Sequence, residues 1–155
     1  MSYGKVIELF LVNGTADSLM IAELSNWNGK ALKIPRIEVD ACERDDIKVP
    51  GVYFLFCKNE EGEKDSVYIG ETEHLKNRLL QHIQDYSKGT EKYYWHTAIM
   101  FTGTNLDKAL IRYLENLLYK LLEKLIVLKL KQKTHMEILL LRNLLKLLWK
   151  SSLII

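Results

Sequence analysis

Two tyrosines, an arginine, a histidine and a glutamate follow one another in this 155-residue chain in an order that suits phosphate chemistry. Tyr53 closes the run Gly51-Val52-Tyr53 and Tyr68 opens the run Tyr68-Ile69-Gly70; Arg78 and His82 then stand four apart, and Glu115 lies farther on. Either tripeptide alone is ordinary strand sequence, and an arbitrary pair of strand tyrosines is more often packing than chemistry. The ordered set instead offers two phenols, a guanidinium, an imidazole and a carboxylate to one phosphate. Phosphodiester hydrolysis needs a deprotonated water in line with the leaving oxygen, a cation on the equatorial oxygens, and a proton or metal for the leaving group. Arg78 supplies a planar fork matched to phosphate oxygens. Phenol is a poor base at its free pKa of ~10, but a nearby metal and arginine favour its ionised form. Tyr53 is then the candidate base, directly or through a water, and Tyr68 orients it or the phosphate. His82 either hydrogen-bonds Tyr53 or receives its proton, or else is a surface imidazole.

The elements that must hold these groups are legible around them. Gly51 to Cys57 is rich in aromatic and β-branched residues and predicts a strand. Lys58 to Asp65 predicts a charged hairpin loop and Ser66 to Ile69 the returning strand, so the tyrosines sit on adjacent antiparallel strands. Gly70 ends that strand where a side chain would obstruct a close backbone or ligand approach. Thr72 is a candidate N-cap for a helix to about Tyr86, with Leu75, Leu79 and Ile83 as its apolar stripe and Arg78 and His82 on one face. A third strand is centred on Ala98-Ile99-Met100-Phe101. Thr104 with Asp107 approximates a capping box for a helix from Leu106 to at least Leu125. Glu115 leaves that helix near Ile111 and Leu118, and an unpartnered carboxylate on such a face is costly. It calls for a cation, either a metal or an ion pair with Arg78 or Arg112.

The motifs resemble those of the GIY-YIG nuclease family, whose first tripeptide tolerates Val at the position of Val52; the resemblance runs from Pro50 to Lys124. It implies an α/β fold, a small three-stranded mixed sheet with packed helices. It also implies an endonuclease acting on DNA with Tyr53, Tyr68, Arg78, His82 and Glu115 as catalytic groups, Gly51 and Gly70 at the backbone approach to phosphate, and Glu115 holding Mg2+ or Mn2+. Family members usually provide an asparagine after the glutamate helix to buttress the site. This chain has none between Leu117 and Arg142, and Asn143 lies in a Leu-rich run. A module that keeps the fold but has lost turnover, and binds nucleic acid or protein, is the competing reading. The N-terminal extension and the long loop between the motifs resemble a prokaryotic subgroup that often carries a further C-terminal domain, of which this chain would be a shortened member.

Charge separates the chain into parts. Residues 1–124 hold 16 Lys and Arg against 19 Asp and Glu, a net of −3, and the last 31 residues hold 6 against 1, a net of +5. Non-specific DNA affinity comes mostly from Lys and Arg that displace counterions, so the motif-bearing part is expected to bind DNA weakly. An enzyme needs a local phosphate pocket more than a basic field. Residues 1–49 predict an extension: a β-hairpin of Lys5 to Val12 and Ser18 to Leu24 around Asn13-Gly14, a short strand at Lys30 to Ile34, and a short acidic helix from Ile37 to Asp46. Trp27 is either a surface anchor or packing over that hairpin. From Leu125 to Ile155, Leu, Ile and Lys dominate without Gly or Pro. That helical tail reads either as a partner- or membrane-docking segment that promotes self-association, or as the product of a shifted reading frame. Cys42 and Cys57 follow no metal or disulfide spacing, and no secretory pattern or membrane span is evident, which points to the cytoplasm.

Overall fold

Seven successive buried residues, Gly51–Cys57, form the strand around which the rest is built. The structure is a computed structural model and describes residues 6–25, 28–57, 66–103, 106 and 108–129. In chain order the strands are β1 (Ile7–Leu11), β2 (Met20–Leu24), β3 (Gly29–Pro35), β4 (Gly51–Cys57), β5 (Ser66–Thr72) and β6 (Trp95–Gly103). Helix α1 (Leu75–Ser87) lies between β5 and β6, and α2 (Lys108–Lys129) follows β6. The chain divides into two compact units, Met1–Arg112 and Tyr113–Ile155, so the sheet, α1 and the first residues of α2 belong to the first.

The sheet differs from the expected three-stranded mixed one: among the described residues it has six strands in the order β1-β2-β3-β6-β4-β5, and every pairing is antiparallel. The reason is β3. Its seven residues pair with β6 from Gly29↔Gly103 to Pro35↔Thr97, which carries the N-terminal hairpin into the same sheet as the motif strands. β6 is thereby central, with β3 on one side and β4 on the other. The acidic stretch expected as one short helix forms two single 3-10 turns instead, Arg36–Glu38 and Asp45–Ile47. The hairpin turn forms where Asn13-Gly14 predicts it, with Gly14 at φ 74° and its N–H donating to Leu11 O. Trp27, the loop of residues 58–65, the Thr104 and Asp107 capping pair, Asn143 and the tail beyond Lys129 lie outside the described residues.

Strand alternation puts Tyr53, Leu55 and Cys57 on one face of β4. That face joins Leu32 and Ile34 of β3, Trp95, Ala98 and Met100 of β6, and Leu75 and Leu79 of α1 in one buried cluster. Val52, Phe54 and Phe56 on the opposite face are buried too, Phe54 meeting Phe101 edge to face at 5.9 Å. Helix α1 begins at Leu75, later than a Thr72 cap would place it. Thr72 Oγ1 instead accepts from the His74 N–H in a turn before the helix, and the Leu75 N–H donates to Val49 O. The buried residues of α1 are Leu75, Leu79 and His82, and the expected Ile83 is only partly buried beside them. His82 thus faces inward rather than lying on the surface.

Candidate active site

Tyr53 is the centre of the candidate site because it is the polar group the core must accommodate. Its side chain is 1% exposed, against the inner face of α1. A buried phenol needs a partner for its hydroxyl, and α1 provides two. Arg78 Nε donates to Tyr53 Oη at 3.1 Å, and His82 Nε2 lies 2.9 Å from the same oxygen. Arg78 has only protons to give, so the Tyr53 oxygen accepts from it, and the direction of the Tyr53–His82 bond follows the imidazole tautomer. Arg78 Nη1 also donates to Gln81 Oε1 at 2.7 Å, which fixes the guanidinium plane.

Tyr68 lies on β5, the edge strand, stacked on Tyr53 with ring centroids 6.1 Å apart and edge-on to His82 at 5.4 Å. At 45% exposure it is the part of the cluster that meets solvent. A cavity of about 150 Å³ opens beside it, bounded by Val67, Tyr68, Glu91, Tyr93 and Trp95 among others. The glycines serve the same packing. Gly70 sits within β5, which continues to Thr72, and is the cross-strand partner of Tyr53. A Cβ there would collide with the Tyr53 phenol, and a Cβ at Gly51 would collide with the Phe101 carbonyl and Leu75. The close approach predicted at Gly70 is that of the tyrosine ring itself.

One member of the cluster had no place in the sequence reading. His82 Nδ1 lies 2.8 Å from Glu91 Oε1, so the imidazole is held between a phenol and a carboxylate. Glu91, nine residues beyond His82, comes back against it because α1 ends in a tight reversal. Gly89 takes φ 75°, its N–H donates to Tyr86 O, and the Thr90 N–H donates to Asp85 O, the pairing of a Schellman cap. On the far side, the segment is fastened by Arg36, whose buried guanidinium lies 4.4 Å over the Tyr94 ring and 5.0 Å over Trp95. The available sequence signal was Lys88-Gly89, a helix stop with an acid two residues past it.

Glu115 belongs to the second unit, on α2, where it is partly buried. In the first unit, Arg78 engages Tyr53 and Gln81, and Arg112 Nε lies 3.8 Å from Glu71. Among the described residues no three His, Cys, Asp or Glu side chains form a group that could hold a metal ion by themselves. No helix of the described residues is long and apolar enough to cross a membrane.

Burial pushes the Tyr53 phenol well above its ordinary value; the Arg78 hydrogen bond pulls the other way without cancelling it, and neighbouring Tyr68 adds to the rise. The arginine effect foreseen from sequence is present but outweighed. Folding thus favours the neutral phenol. Its contribution to stability is complete below the unfolded tyrosine pKa of ~10 and is lost as pH rises past it toward the folded value. An alkaline absorbance titration is expected to show one tyrosine resisting ionisation well beyond pH ~10 until the protein unfolds. Tyr53→Phe should remove that late phase; its survival in the variant would assign it elsewhere.

A family model described as the GIY-YIG catalytic domain matches residues 49–131, just over half of the chain and the whole span from Gly51 to Glu115. No match is found among curated proteins or among solved structures.

Proposed function

The chain belongs to the GIY-YIG family, and from that premise we propose that it is a metal-dependent endonuclease hydrolysing DNA phosphodiester bonds. The observation that carries this reading is the convergence of Arg78 Nε and His82 Nε2 on the Tyr53 hydroxyl, inside the matched span. Tyr53 holds its proton at neutral pH, so the base is the Tyr53–His82 pair rather than a standing phenolate. The Tyr53 proton passes to His82 Nε2, and the phenol oxygen in turn takes a proton from the attacking water. The water oxygen then bonds to phosphorus, and the opposite P–O bond breaks with its electron pair on the leaving oxygen, which is protonated from solvent. The fixed Arg78 charge lowers the cost of the phenolate and faces the equatorial oxygens. Tyr68, half exposed, orients the phosphate.

Glu115 is the residue that would hold the divalent ion. Mg2+ commonly takes one or two carboxylates and completes its shell with water and substrate phosphate oxygens, so a single partly buried glutamate on a helix fits that donor chemistry. A bound ion supplies Lewis-acid polarisation of the phosphoryl oxygens and neutralises charge on the leaving oxygen.

Purified protein incubated with plasmid, linear and branched DNA is expected to nick or cut at least one of them with Mg2+ or Mn2+ and none with EDTA. Glu115→Ala should abolish cleavage while leaving the melting temperature close to that of the wild type. Retained cleavage in that variant would remove the metal assignment. Absence of cleavage on all three substrates, with binding still seen by fluorescence anisotropy, would leave a binding module of the same fold.

A further inference from the structure

We propose that Glu91 is a positioning residue for the hydrolysis, completing a Tyr53–His82–Glu91 relay in which the carboxylate fixes the imidazole tautomer and stabilises the imidazolium formed when His82 takes the Tyr53 proton. The inference rests on the nuclease reading and extends it to a residue outside the motif set. Three distances carry it: Arg78 Nε to Tyr53 Oη at 3.1 Å, Tyr53 Oη to His82 Nε2 at 2.9 Å, and His82 Nδ1 to Glu91 Oε1 at 2.8 Å.

The carboxylate selects the proton arrangement. The Tyr53 oxygen accepts from Arg78 and has a second lone pair, so the Tyr53–His82 bond can run in either direction; with Glu91 accepting from Nδ1, the neutral imidazole presents a lone pair at Nε2 and takes the Tyr53 proton. A neutral imidazole with a bare Nε2 carries its proton on Nδ1, and an ionised carboxylate at 2.8 Å is the acceptor that makes this tautomer the stable one. Without it, Nδ1 would face a buried site with its N–H unpaired. The logic is that of a base oriented by an acid, as in hydrolase triads, on unrelated residues. The groups facing the imidazole are Tyr53 from β4, Tyr68 from β5 and Glu91 from the segment after α1; Glu91 alone of these supplies a carboxylate. Glu91 is also held from behind. Its second oxygen, Oε2, is buried and has no hydrogen-bond partner among the described residues, so His82 is the polar group that the carboxylate engages. The Gly89 cap and the Arg36 stack fix the backbone that carries it.

Glu91→Gln keeps the shape and removes the charge. In single-turnover cleavage of the DNA cut by the wild-type protein, the rate is expected to fall by roughly 10²- to 10⁴-fold, the range for a lost acid–base contribution, with DNA affinity unchanged. Glu91→Asp should recover part of the rate. A Glu91→Gln rate within a few fold of wild type, or a loss confined to DNA affinity, would overturn the proposal. A second readout is independent of cleavage. Long-range proton–nitrogen correlation spectra of the full chain are expected to show His82 as the Nδ1–H tautomer, and Glu91→Ala to shift it toward Nε2–H. An Nε2–H tautomer in the wild type, or no shift in the variant, would overturn the role of Glu91. Failure of the wild type to cut any DNA would instead sink the nuclease reading, and the spectra would still decide whether Glu91 sets the imidazole.

Discussion

Replacing Tyr53 with Phe is expected to slow DNA cleavage by roughly 10²- to 10⁴-fold while the protein stays folded. The substitution removes one oxygen from a ring that packs with Leu75 and Leu79 and leaves that ring in place. It also takes a partner from both Arg78 and His82. Losing a buried hydrogen bond costs about 1–3 kcal/mol at most here, since Arg78 keeps Gln81 and His82 keeps Glu91. Activity should therefore fall far more than stability. Single-turnover kinetics on a nicked plasmid and a urea melt separate the two. A rate near that of wild type would show that the phenol only packs, as strand tyrosines ordinarily do.

The Gly70→Ala variant should fail in a different way, losing both stability and turnover. The added methyl would occupy the space of the Tyr53 phenol across the strand pair. Either β5 moves outward or Tyr53 leaves its partners, and overpacking of this kind costs about 1–3 kcal/mol. The chemical cost is larger. A displacement of ~1 Å in a catalytic group can lower the rate about 100-fold, and Tyr53 Oη sits within 3.1 Å of two partners that are both anchored on α1. Denaturant melts and cleavage rates are expected to drop together, in contrast to Tyr53→Phe. If Gly70→Ala cleaves normally, the glycine is required by neither the ring nor the site.

The strands and helix that carry the site were legible because their signals are local. The aromatic run of β4, the apolar spacing of α1 and the Asn13-Gly14 turn each depend on neighbours within a few residues. The ordered tyrosines, Arg78 and His82 were legible for the same reason, once strand pairing and helix spacing were granted. What the sequence withheld depended on distant contacts. The pairing of β3 with β6 spans some seventy residues, and nothing in Lys30 to Ile34 says which strand it will join. The acids of residues 37–46 suggested a helix, but Glu38 is drawn to the Ser18 hydroxyl and Leu19 N–H, and Asp46 to Arg44, so the backbone there follows side-chain partners. Burial of Tyr53 also reversed the balance of its acidity, because exposure is a property of the packed molecule.

The turn at Gly89 decides how far Glu91 stands from His82. The N–H groups of Gly89, Thr90 and Glu91, donating back to the Tyr86 and Asp85 carbonyls, leave no slack in the nine-residue interval, so the partnership of imidazole and carboxylate is written in a count of residues rather than in a motif. One residue inserted between Ser87 and Glu91 would preserve every side chain of the site and still separate the pair. In a family recognised by the identity of its signature residues, a device specified by spacing alone would pass from one member to another, or vanish, without altering a single signature letter.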